Sequence, residues 1–314
     1  MTGPASSEAG AVRPSAGVRG RTRRFAAAAM ATSWEIFLDA GLEARIADGA
    51  ARAAFDLLER LDRLLSRFVG GSDISRINTS HGEPVVVEPE TAEVLRLAAR
   101  FSRETDGAFD AAWATPTAAR TAMGGATLFA VDSEAPIVRK THPETRLDLG
   151  AVGKGFALDQ MAALMARDWD VRAGLLHGGG SSVLAMEAPS WDAGWPVTIG
   201  TTEGRDLLRL VRAALGASGY DVRGSHIVDP RTGERVRRYR ATWALAPSAA
   251  EADALSTAFA VMSPAGIRAW MSRRPAGYAA RWIIDTPDGP RLEDAGRWPT
   301  LQPVLPASGI DDAK

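Results

Sequence analysis

The chain has 314 residues, 46% of them hydrophobic and 24% charged, with a formal net charge of −1. That length predicts one large domain or two small ones, with enough apolar content for a substantial core. A near-zero net charge gives no electrostatic basis for nucleic acid or an anionic membrane as partner, and the absence of cysteine excludes disulfides, thiolate metal sites and thiol nucleophiles.

Residues 1–28 are rich in Ala, Gly, Ser and Arg without a periodic apolar pattern, and are expected to form a disordered extension. Arg23-Arg24-Phe25 followed by Ala26 to Ala29 is a poor twin-arginine-like sequence, short and without leucine. No stretch approaches the roughly 20 apolar residues of a membrane span. A cytoplasmic protein is therefore expected, with export the lesser alternative.

Thr32 to Leu38 reads as a strand. Ala44 to Phe68 carries a helical stripe through Ile46, Ala50, Ala54, Leu57, Leu61 and Leu65. Val85 to Val87 is a brief strand. Pro89 to Glu104 is a second amphipathic helix with Val94, Leu95, Ala98 and Phe101 inward. Leu128 to Val131 and Ile137 to Leu149 read as short strands, Phe156 to Arg167 as a helix, and Leu175-Leu176 with Val183-Leu184 as a strand pair around a glycine triplet. Val197 to Ile199 and Trp243 to Ala246 are strands, and Asp206 to Ala214 between them is of undecided type. Ile267 to Arg273 is a helix and Ala279 to Ile284 a strand. This mixture lacks regular βαβ alternation, so it predicts an α+β fold rather than a doubly wound sheet. Residues 305–314 read as a polar tail.

Two segments carry candidate chemistry. Ser248-Ala249-Ala250-Glu251 has the form of a capping box. In the helix it opens, Asp253, Ser256 and Thr257 fall at i, i+3 and i+4 and converge on one point. Oxygen-only ligands favour a hard cation such as Mg²⁺, which usually accompanies a phosphate. The bland alternative is a polar helix start. The second segment, Leu147-Asp148-Leu149-Gly150-Ala151-Val152-Gly153-Lys154-Gly155, leads from an apolar stretch into a helix. Glycines at such a turn allow close backbone approach, and a helix N-terminus favours anions. It is not a Walker A loop, since its spacing differs and no Ser or Thr follows the lysine.

Together these two segments resemble the ApbE family of FAD:protein FMN transferases. Further blocks follow in the family's order: Met30-Ala31-Thr32, Leu65-Ser66-Arg67-Phe68 with Ser72 to Asn78, and Asp106-Gly107-Ala108-Phe109-Asp110. After them come His177-Gly178-Gly179-Gly180 and Ser218-Gly219-Tyr220 with Ser225 to Gly233. The resemblance spans roughly Met30 to Val304 and implies one transferase domain over 29–304, built from two α+β subdomains with an FAD site between them. The implied reaction is Mg²⁺-dependent transfer of FMN from FAD to a Thr or Ser hydroxyl of an acceptor protein, releasing AMP.

The resemblance also implies site residues. Asp253, Thr257 and the backbone carbonyl of Ala151 would hold the metal with Ser256 close by, in a place where relatives carry a second acid. Met30, Phe68, Ala108, Phe109, Asp110, Asp148, Lys154 and Val228 would contact FAD, Lys154 as a point charge on a phosphate. For Lys154 the plain alternative is a surface lysine, and for Asp148 an aspartate capping its turn. His226 is the candidate proton acceptor, because imidazole titrates near neutrality. His81, His142 and His177 lack metal-ligand spacing and read as surface or turn residues.

Three departures bear on acceptor specificity. Phe68 stands where flavin transferases tend to have tyrosine. Gly180-Ser181-Ser182 replaces an acid or amide, and the Trp113 region lacks the usual Thr-Val. An FAD pyrophosphatase giving FMN and AMP, or a non-catalytic FAD-binding protein, are the alternatives.

Overall fold

The structure is a computed structural model and describes residues 11–124, 126–200, 205–219, 227–299 and 302–304. In chain order it begins with β1 (Val12–Pro14), α1 (Ala16–Arg19), β2 (Thr22–Ala29), β3 (Thr32–Asp39), α2 (Ala44–Leu65), α3 (Asp73–Thr79), β4 (Val85–Val86) and α4 (Pro89–Glu104). Then follow α5 (Thr117–Ala122), β5 (Phe129–Val131), β6 (Ile137–Lys140), α6 (Gly153–Trp169), β7 (Leu175–Gly178), β8 (Ser182–Ala185), β9 (Trp195–Gly200), β10 (Arg205–Leu210) and β11 (Ala213–Ser218). The last elements are β12 (Tyr239–Ala246), α7 (Ala249–Val261), α8 (Pro264–Met271), β13 (Ala279–Thr286), β14 (Gly289–Gly296) and β15 (Gln302–Val304).

The central sheet has eight strands in the order β14-β13-β12-β11-β8-β7-β3-β2, every neighbouring pair antiparallel. Both of its faces are covered. Trp34, Ile36, Leu176, Leu184, Ala244 and Trp282 face a helical layer that includes α2, α4, α6 and α7. On the opposite face of the same sheet, Phe37, Leu175, Val183, Leu215, Trp243 and Ile283 pack toward the four-stranded sheet β1-β9-β10-β15. Double coverage explains why β7 and β8 are apolar runs rather than alternating strands. The fold is α+β, as expected.

The N-terminal expectation is corrected. Of residues 1–28, the described ones from Val12 onward form β1, α1 and most of β2, and β2 pairs with β3 along its full length. Alanines and arginines have low strand propensity, but β2 is a half-exposed edge strand recruited by β3, and tertiary context overrides propensity there. Residues 1–10 and the expected tail at 305–314 lie outside the described residues.

Two further differences have local causes. The strand expected to run from Ile137 to Leu149 ends at Lys140, whose buried ammonium donates to the carbonyls of Asn78 (3.1 Å) and Pro143 (2.8 Å). Beyond it the Asn78 amide braces Leu147 from both sides, donating to its carbonyl (2.9 Å) and accepting from its N–H (2.7 Å). The undecided Asp206 to Ala214 stretch is two strands in two sheets, β10 and β11, with Arg212 at φ 43° between them.

Candidate functional site

Helix α7 is buried on nearly all sides, between α6 and strands β11 and β12. A helix this enclosed needs small residues at its contacts, and two glycines supply the clearance. A Cβ on Gly155 of α6 would lie 2.1 Å from the Ala249 carbonyl oxygen, and one on Gly216 of β11 would lie 2.4 Å from that of Ala252. Backbone thus meets backbone on both sides of the first turn of α7.

Polar contacts fix that turn. Ser248 caps the helix by accepting from the Glu251 N–H at 3.2 Å, as the capping box predicts. The Glu251 carboxylate does not reach back to Ser248; it takes Arg100 (2.6 Å) and the Tyr278 hydroxyl (2.8 Å). Asp159 of α6 accepts from the N–H groups of Ala249 (2.7 Å) and Ala250 (2.9 Å). Burial pushes its carboxyl up to about 7, aided by the nearby charges of Asp253 and Glu251 and opposed by the two amides.

Asp253 is buried and accepts from Gly155 N–H (2.8 Å), the Ser182 hydroxyl (2.7 Å) and the Lys154 ammonium (3.4 Å). Lys154 is buried too, so the surface-lysine alternative is excluded. One turn on, the Ser256 and Thr257 hydroxyls donate to the Asp253 carbonyl (3.0 and 3.2 Å) and meet the Ser218 hydroxyl at 3.0 and 3.3 Å. Ser218, at the end of β11, completes an oxygen cluster that the helical spacing alone could not reveal.

A cleft of about 230 Å³ opens over this cluster. It is lined by Ala108, Phe109, Asp110, Asp148, Ala151, Lys154, Val228, Asp253, Ser256 and Thr257, together with Trp113, Ser181 and Ser218, which sequence reasoning did not assign. Met30 and Phe68 line an adjoining cleft of about 240 Å³ instead. The two clefts share Asp148, Gly150 and Lys154. His226 lies outside the described residues, but Ile227 and Val228 next to it line the first cleft.

Asp148 caps its own turn, accepting from Gly150 N–H at 2.8 Å, and also pairs with Arg67 at 3.2 Å. The capping alternative and a place in the cleft are therefore both realised in one residue. Asp110 accepts from Ala112 N–H (2.8 Å) and from Arg120 (2.7 Å), so its carboxylate is oriented by a neighbour. Phe68 is 82% exposed with the Arg67 guanidinium 4.5 Å from its ring centre. Met30 and Ala31 form the two-residue β2–β3 turn with φ of 50° and 56°, and Met30 N–H donates to Asp62 at 2.8 Å. Both being non-glycine, this turn holds strain at the edge of the second cleft.

His177 is neither a surface nor a turn residue. It is buried on β7, with Nδ1 3.1 Å from Glu35 and Nε2 3.0 Å from the Val12 carbonyl. Its hydrogen bond, with those of Arg24, holds the Glu35 carboxyl down at about 2 against the opposing effect of burial.

Among the described residues no group of three or more His, Asp or Glu side chains is placed to hold a metal ion. The oxygen cluster itself offers one carboxylate, Asp253, and three hydroxyls, Ser218, Ser256 and Thr257, beside Ala151, while Asp110, Asp148 and Ser181 line the same cleft. That chemistry fits a hard cation drawing its remaining ligands from phosphate and water.

The comparisons decide the family. A model of the ApbE family matches residues 30–282. This chain belongs to the ApbE family. The FAD:protein FMN transferase of Salmonella typhimurium is 26% identical over 272 residues, covering 74% of this chain and 76% of that protein. The Haemophilus influenzae FAD:protein FMN transferase is 26% identical over 274 residues, covering 74% and 78%. Among solved structures, the flavin transferase ApbE from Vibrio cholerae superposes with a TM-score of 0.76 at 21% identity, covering 87% of this chain and 97% of that one. The apo form of Pseudomonas stutzeri flavinyl transferase ApbE gives 0.77 at 20% identity, covering 87% and 94%. Among the described residues no helix of this ApbE-family chain is long and apolar enough to cross a membrane.

Proposed function

We propose that this ApbE-family protein transfers FMN from FAD to a threonine or serine hydroxyl of an acceptor protein, releasing AMP. The observation that carries the reading is the convergence, on one cleft, of the Asp253 helix turn, the Asp148–Lys154 turn and the Ala108–Asp110 segment. The names of the family's relatives support the same activity.

The FAD diphosphate would lie against Lys154 at the first turn of α6, where a cationic side chain and the positive end of the helix dipole favour anions. The flavin half extends past Asp148 and Asp110, and Met30 and Phe68 of the adjoining cleft contact the remainder. Asp253 and Thr257, with the Ala151 carbonyl and Ser256 close by, would hold Mg²⁺, which when bound would neutralise charge on the diphosphate. The acceptor oxygen attacks the FMN phosphorus, and the bond from that phosphorus to the bridging oxygen breaks. His226 accepts the hydroxyl proton, and AMP leaves with the bridging oxygen. Lys154, already ion-paired with Asp253, supplies a second positive charge at the same point.

Purified protein is incubated with FAD and Mg²⁺, with and without a candidate acceptor domain, and the acceptor is weighed by mass spectrometry. A gain of one FMN with stoichiometric AMP supports transfer. FMN and AMP formed equally without acceptor would assign hydrolysis instead, and unchanged FAD would assign binding alone. Asp253→Ala abolishes turnover while part of the FAD binding survives, and His226→Ala slows transfer without releasing FAD.

A further inference from the structure

Helices α6 and α7 exchange carboxylates at their N-termini. Asp253 of α7 accepts the Gly155 N–H in the first turn of α6, at 2.8 Å. Asp159 of α6 accepts the N–H groups of Ala249 and Ala250 in the first turn of α7, at 2.7 and 2.9 Å. Each carboxylate stands four residues along its own helix from the backbone its partner grips, so the two contacts are mirror halves of one clamp. Each also sits at the positive end of the opposing helix, where negative charge is favoured. Between them the two backbones touch at Gly155 and Ala249, where no Cβ fits.

One half of this clamp is the carboxylate assigned to the cleft. The other half touches no cleft atom and is unused by the proposed chemistry. Asp159 does not line the cleft, yet with Ser248 it satisfies the free amides of Ala249, Ala250 and Glu251. A helix capped from a neighbouring helix cannot slide or rotate against it without breaking these hydrogen bonds.

We propose that Asp159 is a positioning residue for the flavin-transfer reaction: by capping α7 from α6 it holds Asp253 in register with Gly155 and the cleft. The inference rests on the proposed transferase reading for its effect on turnover, but not for the clamp itself. Asn at this position accepts at one oxygen and turns an NH₂ toward the second amide, so one half of the grip is lost. Glu keeps both acceptor oxygens on a longer arm.

The test compares wild type, Asp159→Asn, Asp159→Glu and a core variant, Leu95→Ala, chosen for a similar fall in melting temperature. Hydrogen exchange of 249–253, FAD affinity, and kcat and KM for FAD across a Mg²⁺ titration are measured on each. Asp159→Asn is expected to speed exchange of 249–253 and lower kcat at least tenfold. FAD affinity should stay within threefold, and the Mg²⁺ needed for half-maximal rate should rise several-fold. Asp159→Glu should recover part of both effects, and Leu95→Ala should show neither. Wild-type kcat and Mg²⁺ dependence in Asp159→Asn would overturn the proposal, as would an equal kcat loss in Leu95→Ala. Should Asp159→Asn fail to fold, Asp159→Ser, whose short hydroxyl cannot span both amides, carries the comparison, and normal exchange with normal kcat in it overturns the proposal. If wild type does not cleave FAD, the transferase reading fails, while exchange at 249–253 still decides whether the clamp exists.

Discussion

Replacing Gly155 by alanine tests the assembly of the site most directly. The new Cβ would lie 2.1 Å from the Ala249 oxygen, 2.4 Å from its carbon and 2.7 Å from the Ala250 nitrogen, all of them backbone atoms that no rotamer change can move aside. Relief requires α6 and α7 to separate by about 1 Å, a displacement that costs on the order of 10²-fold in rate when it misplaces reacting groups. The same separation stretches the Gly155–Asp253 bond of 2.8 Å and the Asp159–Ala249 bond of 2.7 Å toward the limit of hydrogen bonding. Overpacking costs about 1–3 kcal/mol and each charged hydrogen bond about 1.5–3 kcal/mol, against a gain of about 1 kcal/mol in helix propensity. A net loss of about 3 kcal/mol lowers the melting temperature by roughly 6–12 °C in a chain of this size. Calorimetry and FAD turnover measured together check this. A variant that melts with wild type and turns over at the wild-type rate would show that the two helices are not in contact here, and the site geometry would have to be abandoned.

Other perturbations report on neighbouring parts. Ala31→Gly relieves a left-handed residue in the β2–β3 turn and should stabilise by about 1 kcal/mol, seen as a melting temperature higher by roughly 2–4 °C; no rise would mean the turn is unstrained. Glu35 has its folded carboxyl lowered to about 2 from 4.5, so its contribution is present above pH 4.5 and disappears as pH falls through 2. Glu35→Gln should therefore be less stable than wild type at neutral pH by about 1 kcal/mol, after allowing for solvent screening of a partly exposed group. The gap should close near pH 2 in urea titrations, and a gap independent of pH would refute the ion-pair account. Arg120→Ala leaves the largely buried Asp110 carboxylate without its cation and should cost about 2–4 kcal/mol of stability. FAD affinity should fall with it, and titration calorimetry that finds both unchanged would remove Asp110 from the cleft's working parts.

Much of the α+β character was legible because long amphipathic periods announce themselves. The Pro89–Glu104 helix needed only its stripe and its leading proline, and the Ser248–Glu251 cap only its spacing. Ordered sequence blocks likewise pointed to the family and to most residues around the cleft, since each block is a local turn or cap whose chemistry is written in consecutive residues. Tertiary structure decided the rest. The arginine- and alanine-rich start is a strand only because β3 offers it an edge, and His177 is buried only because β1 crosses its face. Ser218 joins Ser256 and Thr257 from 38 residues away on another strand. Asp159 and Asp253 are ordinary helix carboxylates until α6 and α7 are packed N-terminus to N-terminus. Periodicity and turn chemistry act between near neighbours in the chain and are readable there, whereas burial, partner choice and cavity shape depend on which distant surfaces meet.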